Sequence, residues 1–380
     1  MLEKYLRMPW MFSALFLGII FSSLGIFQTT IQDEAFKILA TMGMLFLLFM
    51  IGFNLEIGKM KRFGKHILKG AIIIIGLESC IVGALLFFLF PDQIGNSPLV
   101  AIVVALSFAT VGEAVLLPIL AKFNLLKTKF GQLTLGIGTL DDIMEVLTLI
   151  MIPFLPIILP TLNIQGFPDP LFVVLDLIGI FILTFILVRI ASKIRNVLCN
   201  NLNLSFIRPL LIILIFFSFV AVGGFVFESL AAISAIFGGI VARSMLPKEN
   251  LRSDEKLVNF LGYVVLSPMF FLSVGASMSF STIFVYPFML AIILLSTFSA
   301  KLSGSYLLFR NVIGNKPSLL LGLGLCVRFS TGLIVQYVLL SSGLITLDLY
   351  STLIASAVII TPIILILLPW ILSREKLNTV

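Results

Sequence analysis

Asp141 and Asp142 stand side by side in Gly136-Ile-Gly-Thr-Leu-Asp141-Asp142-Ile-Met-Glu145-Val-Leu, inside an otherwise apolar run from Phe130 to Leu155. The run is long enough to cross a bilayer as a helix, and carboxylates in its middle are costly unless they pair, take up protons or meet ions. At 1.5 Å per residue Asp141 lies roughly 18 Å from Lys129, near the midplane of a ~30 Å hydrocarbon core. Neighbouring residues differ by about 100° around a helix, so one aspartate can meet an ion while the other meets a partner. Glu145 shares a face with both. The bland reading is a set of protonated acids that hydrogen-bond between helices; an adjacent pair at this depth favours ion or proton binding.

The other deep polar residues fall on different runs. Lys301 lies about 13 Å from Arg310, farther than its stem easily snorkels, and predicts an internal counter-charge, best supplied by an acid of the fifth span. The alternative is a lysine that snorkels along a tilted helix. Arg328 sits in Gly322-Leu-Gly-Leu-Cys-Val-Arg328-Phe-Ser330-Thr331-Gly332, and its counterpart in the first half is Ser107-Phe-Ala-Thr110-Val-Gly112-Glu113. Glycines and hydroxyls at midplane suit two interrupted helices whose ends converge on the acids, although two ordinary glycine-tolerant helices would read the same way. Glu78 and Asp176 read equally well as packing hydrogen bonds or as steps of a proton route.

These residues need an all-α, polytopic membrane scaffold, and the composition provides one: 60% of the 380 residues are hydrophobic and 11% charged. The net charge of +7 is spread in short basic clusters between apolar runs, a topology signal and not a nucleic-acid surface. Cys80, Cys199 and Cys326 have neither disulfide nor metal-ligand spacing, and His66, the single histidine, sits in a basic loop. No cofactor and no enzymatic activity are expected. The first apolar run, from Trp10 to Phe27, lacks a small-residue cleavage site and is expected to remain as a span.

Hydropathy predicts about twelve spans, near 9–28, 35–55, 67–90, 98–121, 130–155, 170–191, 206–227, 229–246, 257–277, 283–308, 318–340 and 349–372. Lysines and arginines fall on one side of this arrangement except for Lys37, Lys301 and Arg328, which predicts a cell (inner) membrane protein with both termini cytoplasmic. Spans 3–5 and 10–12 are offset by seven, so matching helices run in opposite directions, as in inverted repeats.

Three further stretches carry a family resemblance. Leu47-Leu-Phe-Met-Ile-Gly52-Phe-Asn-Leu-Glu56 resembles the second-helix signature of the monovalent cation/proton antiporters, Glu228-Ser-Leu-Ala-Ala-Ile-Ser-Ala-Ile-Phe-Gly238-Gly the eighth, and Phe270-Phe-Leu-Ser-Val-Gly275-Ala-Ser-Met the ninth. The Asp-Asp pair with a lysine on the tenth span is similar to the electrogenic bacterial sodium/proton branch. The resemblance implies sodium (or lithium) and proton binding at Asp142 and Asp141, an Asp141–Lys301 pair, and Thr110 as a further ligand. Glu145, Glu113, Arg328, Ser107, Ser330 and Thr331 are auxiliary candidates. Where the family often has Arg-Gly-Glu, this chain has Arg328 followed by Phe329, Ser330 and Thr331.

The resemblance also implies an elevator-like core of residues 67–158 and 282–380, a scaffold of residues 1–66 and 205–281, a linker of residues 159–204, and a homodimer. A potassium/proton antiporter of Kef-like type and a non-transporting sensor on the same fold are the alternatives. An intramembrane aspartyl protease would need its two aspartates on separate helices.

Overall fold

The computed structural model describes residues 10–26, 28–54, 64–158, 170–201, 207–225, 228–247, 251–279, 282–328 and 332–374. Its regular elements among the described residues are helical, and six helices are long and apolar enough to cross a membrane. Helices dominate because a chain in hydrocarbon must satisfy its backbone polar groups within each segment. Each of the twelve expected spans has a helical counterpart.

The chain divides into two compact units, one of Met1–Ser23, Gly58–Met151 and Gly275–Val380, the other of Leu24–Ile57 and Ile152–Val274. The first contains α1 (Trp10–Ser23), α3 (Lys65–Leu89), α4 (Pro98–Phe108), α5 (Glu113–Lys122) and α6 (Lys129–Met151). It continues with α12 (Pro287–Ile313), α13 (Asn315–Leu325), α14 (Gly332–Ser341) and α15 (Leu347–Arg374). The fourth and eleventh spans are thus interrupted, as α4/α5 and α13/α14. α3 packs on α12, and α4 packs on α14, so the two inverted sets interlock. At the end away from Lys65 and Arg310 the Thr346 N–H donates to the Gln93 carbonyl at 3.2 Å, tying the turn before α15 to the turn before α4.

The second unit contains α2 (Glu34–Asn54), α7 (Pro170–Asn201), α8 (Ile207–Gly224), α9 (Glu228–Met245), α10 (Leu251–Asn259) and α11 (Ser267–Ala276). α7 runs ten residues past its expected end, because Ser192 to Asn201 are polar enough to leave the hydrocarbon but nothing in them breaks a helix. The ninth span carries a π segment at Phe260–Leu266, where the Ser267 N–H closes a five-residue turn on the Gly262 carbonyl and the Ser267 hydroxyl donates to the same oxygen at 2.5 Å. Arg243 reaches the Phe53 carbonyl at 2.9 Å and Glu255 at 3.2 Å, while Arg208 faces Asp254 at 3.4 Å. The Phe216 ring meets Phe46 and Phe49 edge-on, with centroids 5.0 and 5.5 Å apart.

α2 and α9 approach backbone to backbone. A Cβ at Gly52 would lie 1.8 Å from the Ile236 carbonyl oxygen, and one at Gly239 would lie 2.0 Å from that of Phe49. Both obstacles are main chain and cannot rotate away. Gly52→Ala should therefore lower the unfolding temperature in detergent, with a cost of about 1–3 kcal/mol from overpacking. Gly76→Ala, where a Cβ meets nothing within 4 Å, should leave that temperature unchanged or raise it.

Candidate functional site

The site lies wholly within the first unit, where the two interrupted helices cross. α4 ends at Phe108 and α5 begins at Glu113, leaving Ala109 to Gly112 outside the helical ladder. α13 ends at Leu325, and Cys326 to Arg328 leave its axis. The Gly112 N–H donates to the Val327 carbonyl at 2.7 Å, so the two breaks hydrogen-bond to each other. Helix ends carry unpaired peptide groups and partial charge, carbonyls at the C-terminus and N–H groups at the N-terminus.

Charged side chains meet those ends with matching sign. The buried Lys301 ammonium donates to the Thr110 and Leu325 carbonyls, each at 2.6 Å, at the C-terminal ends of α4 and α13. Asp141, 1% exposed, accepts the Val111 N–H at 2.5 Å just ahead of α5. α14 approaches the same segment, since a Cβ at Gly332 would lie 2.5 Å from the Ser107 carbonyl oxygen.

The expected Asp141–Lys301 pair is not the one formed. Lys301 makes its ion pair with Glu78 of α3, Nζ to Oε2 at 3.4 Å. Glu78 is fully buried, and its other oxygen accepts from the Arg328 guanidinium. Arg328 also donates to Thr297 Oγ1 at 2.7 Å and lies over the Phe108 ring at 3.5 Å from the centroid. Its main chain is held by α15, because the Thr361 hydroxyl donates to the Arg328 carbonyl at 2.8 Å and faces the Arg328 N–H at 3.1 Å. The reason for the exchange of partners is geometric: α12 packs directly on α3, whereas Asp141 is already engaged by a peptide N–H.

Glu78 is the residue that sequence reasoning undervalued, and its depth was the available signal. It lies thirteen residues from Lys65, roughly 20 Å along α3, a depth similar to that of Asp141 on its own helix.

Asp142 differs from its neighbour. It is half-buried and makes no hydrogen bond or ion pair among the described residues, while Asp141, Glu145 and Glu113 all lie within its electrostatic reach. Glu145 is buried beside both aspartates. Glu113 Oε2 accepts from Thr139 of α6 at 3.0 Å. The Ser107 hydroxyl is spent on the Val104 carbonyl at 2.7 Å, so what Ser107 offers the crossing is its own carbonyl. Ser330 and Thr331 lie outside the described residues. The arrangement therefore holds three charged side chains in fixed pairs and leaves one carboxylate without a protein donor.

Removing Glu78 would leave two buried cations sharing no anion, and breaking a buried ion pair from one side costs on the order of 3–5 kcal/mol. Glu78→Gln should lower the unfolding temperature in detergent by several degrees more than Glu113→Gln does, since Glu113 is only partly buried and holds a single hydroxyl.

Residues 2–374 match the family model described as sodium/hydrogen exchanger, transmembrane. The chain is 26% identical over 349 residues to the Na+/H+ antiporter of Enterococcus hirae, covering 88% of this chain and 85% of that one. It is 25% identical over 376 residues to the probable Na+/H+ antiporter 3 of Methanocaldococcus jannaschii, covering 96% and 91%. The structure of the sodium proton antiporter MjNhaP1 from the same archaeon, at pH 8, superposes with a TM-score of 0.59 at 21% identity, covering 97% of this chain and 93% of that one, a likeness of fold. With its paired interrupted helices and a family match over nearly its whole length, the chain belongs to the sodium/hydrogen exchanger family of multi-pass membrane transporters.

Proposed function

We propose that this protein is a secondary active transporter that exchanges sodium, or lithium, for protons at Asp142. The observation that carries the reading is the unpaired state of Asp142 beside a network in which Asp141, Lys301 and Glu78 are already engaged. A carboxylate without a donor is an acceptor in search of a proton or a cation, and a hard cation such as sodium prefers oxygen ligands. Asp142 can hold one or the other, and that mutual exclusion couples the two flows. The family, and the names of the relatives in Enterococcus hirae and Methanocaldococcus jannaschii, support the same reading.

The exchange is electrogenic in this reading. Lys301 keeps Glu78 as counter-ion and two carbonyls as acceptors, and so stays in place through the cycle. Asp141, Asp142 and Glu145 instead form a coupled set whose ionised forms repel one another, and one bound cation relieves that repulsion for more than one carboxyl. Loading a single cation then displaces more than one proton. Because every site residue belongs to one compact unit, that unit can carry the site intact, as elevator-like movement requires. A homodimer in the cell membrane with cytoplasmic termini is proposed from the family likeness and the distribution of basic residues.

Proteoliposomes loaded with a pH-sensitive dye test the assignment. Sodium or lithium should drive proton movement in the native chain, and Asp142→Asn should abolish it while the protein still folds. Flux with potassium alone would select the potassium/proton alternative; the absence of flux with any cation would favour the sensor. Competition at one carboxylate further sets the sign of the pH dependence: the apparent KM for sodium should rise as pH falls, by about tenfold per pH unit for each competing proton on the acidic side. A KM that stays level across that range would separate the proton site from the cation site.

A further inference from the structure

Gln336 lies on α14, 3% exposed, and belongs to no step of the cycle above. Its Nε2 faces the Ser107 carbonyl at 3.4 Å, and its Oε1 has no partner among the described residues. Turning the amide over would set two acceptors against each other, so the hydrogen-bond geometry fixes which atom is the oxygen. The hydroxyls of Ser79 and Ser305 and some carboxylate oxygens also lack hydrogen-bond partners among the described residues, but a hydroxyl can rotate and donate and a carboxylate can take up a proton, whereas a carboxamide oxygen only accepts. A buried acceptor with nothing to accept is costly unless a donor or a cation comes to it.

Its place in the fold says which. Gly332 precedes Gln336 by four residues and shares its face of α14. That face lies on the break of the fourth span, since a Cβ at Gly332 would be 2.5 Å from the Ser107 carbonyl oxygen and 2.9 Å from Thr110 Oγ1. Gln336 is therefore about one helical turn, ~5.4 Å, from the crossing toward Ser341. α14 also packs on α6, the helix that bears Asp141 and Asp142.

We propose that Gln336 Oε1 is an oxygen ligand for the transported cation on the Ser341 side of the helix crossing, and that it favours sodium and lithium over potassium. The inference rests on the exchange reading and adds a specificity-determining residue to it. A neutral oxygen replaces part of the ion's hydration shell without fixing it in place, and an oxygen held on a packed helix face closes more readily on a small ion than on a large one. Sodium bound at Asp142 alone would need no such residue.

Two variants and two readouts test it. Gln336→Met keeps the length of the side chain and removes the oxygen; Gln336→Glu keeps an oxygen. In proteoliposomes Gln336→Met should raise the apparent KM for sodium about tenfold with the maximal rate within about twofold, and should narrow the preference over potassium. Gln336→Glu should restore the sodium KM. An unchanged KM and preference in Gln336→Met would overturn the proposal. So would an equal loss for all cations, with a lowered unfolding temperature and no rescue by Gln336→Glu, because that pattern is lost packing. Sodium-dependent thermal stabilisation of the purified protein at alkaline pH reads binding without transport, and it should weaken in Gln336→Met. Native protein that is stabilised by sodium yet moves no protons would strike the exchange reading and leave this binding test in force.

Discussion

Neutrality of buried charge is the constraint on which the rest of the site depends. Removing an ion from water costs several kcal/mol even after relaxation, and the cost is offset only when partners of opposite sign and good geometry replace the water. Lys301, Arg328, Glu78 and Asp141 in their charged forms sum to zero; Glu78 faces both cations, and the other three each meet at least one further polar group of the protein. The interrupted helices supply much of that satisfaction, since their ends present peptide groups where an unbroken helix would offer none. The breaks and the charges thus require each other: the crossing would bury orphan carbonyls without the lysine, and without the crossing the lysine would keep only its ion pair with Glu78.

From this follows a division between fixed and exchangeable charge. Charges that belong to the neutral set hold the architecture, and changing any of them disturbs several helices together. Asp142 lies one residue outside the set, within range of its field but bound to none of its members. A carboxylate in that position can change its proton occupancy without unpicking the structure. Two adjacent aspartates are useful because the turn of the helix separates them: one faces the network and the other does not.

The chain's architecture was largely legible in its sequence, because hydrocarbon thickness dictates how long an apolar run must be and polar turns mark where each ends. The two interruptions were legible from glycines and hydroxyls at midplane, and Asp141, Asp142, Lys301 and Arg328 from their depth alone. Who pairs with whom was not. Depth is a coordinate along one axis, whereas the choice of Glu78 over Asp141 as partner of Lys301 depends on which faces of α3, α6 and α12 meet. Gln336 escaped notice for a related reason: an amide on an otherwise apolar half-helix shows its missing partner only once its neighbours are placed. The π segment of the ninth span likewise leaves no signal in hydropathy, because it is a shift of peptide hydrogen bonds and not of side-chain polarity.

The bond between the Gly112 N–H and the Val327 carbonyl joins the two breaks through peptide groups alone. Every residue type but one supplies an N–H, and all supply a carbonyl, so the link itself uses no side-chain atom of residues 112 and 327. Proline at position 112 is the one substitution that deletes the donor. The contact between the two repeats is therefore written in the backbone, and the charged side chains around it serve to satisfy the peptide groups that the breaks leave over.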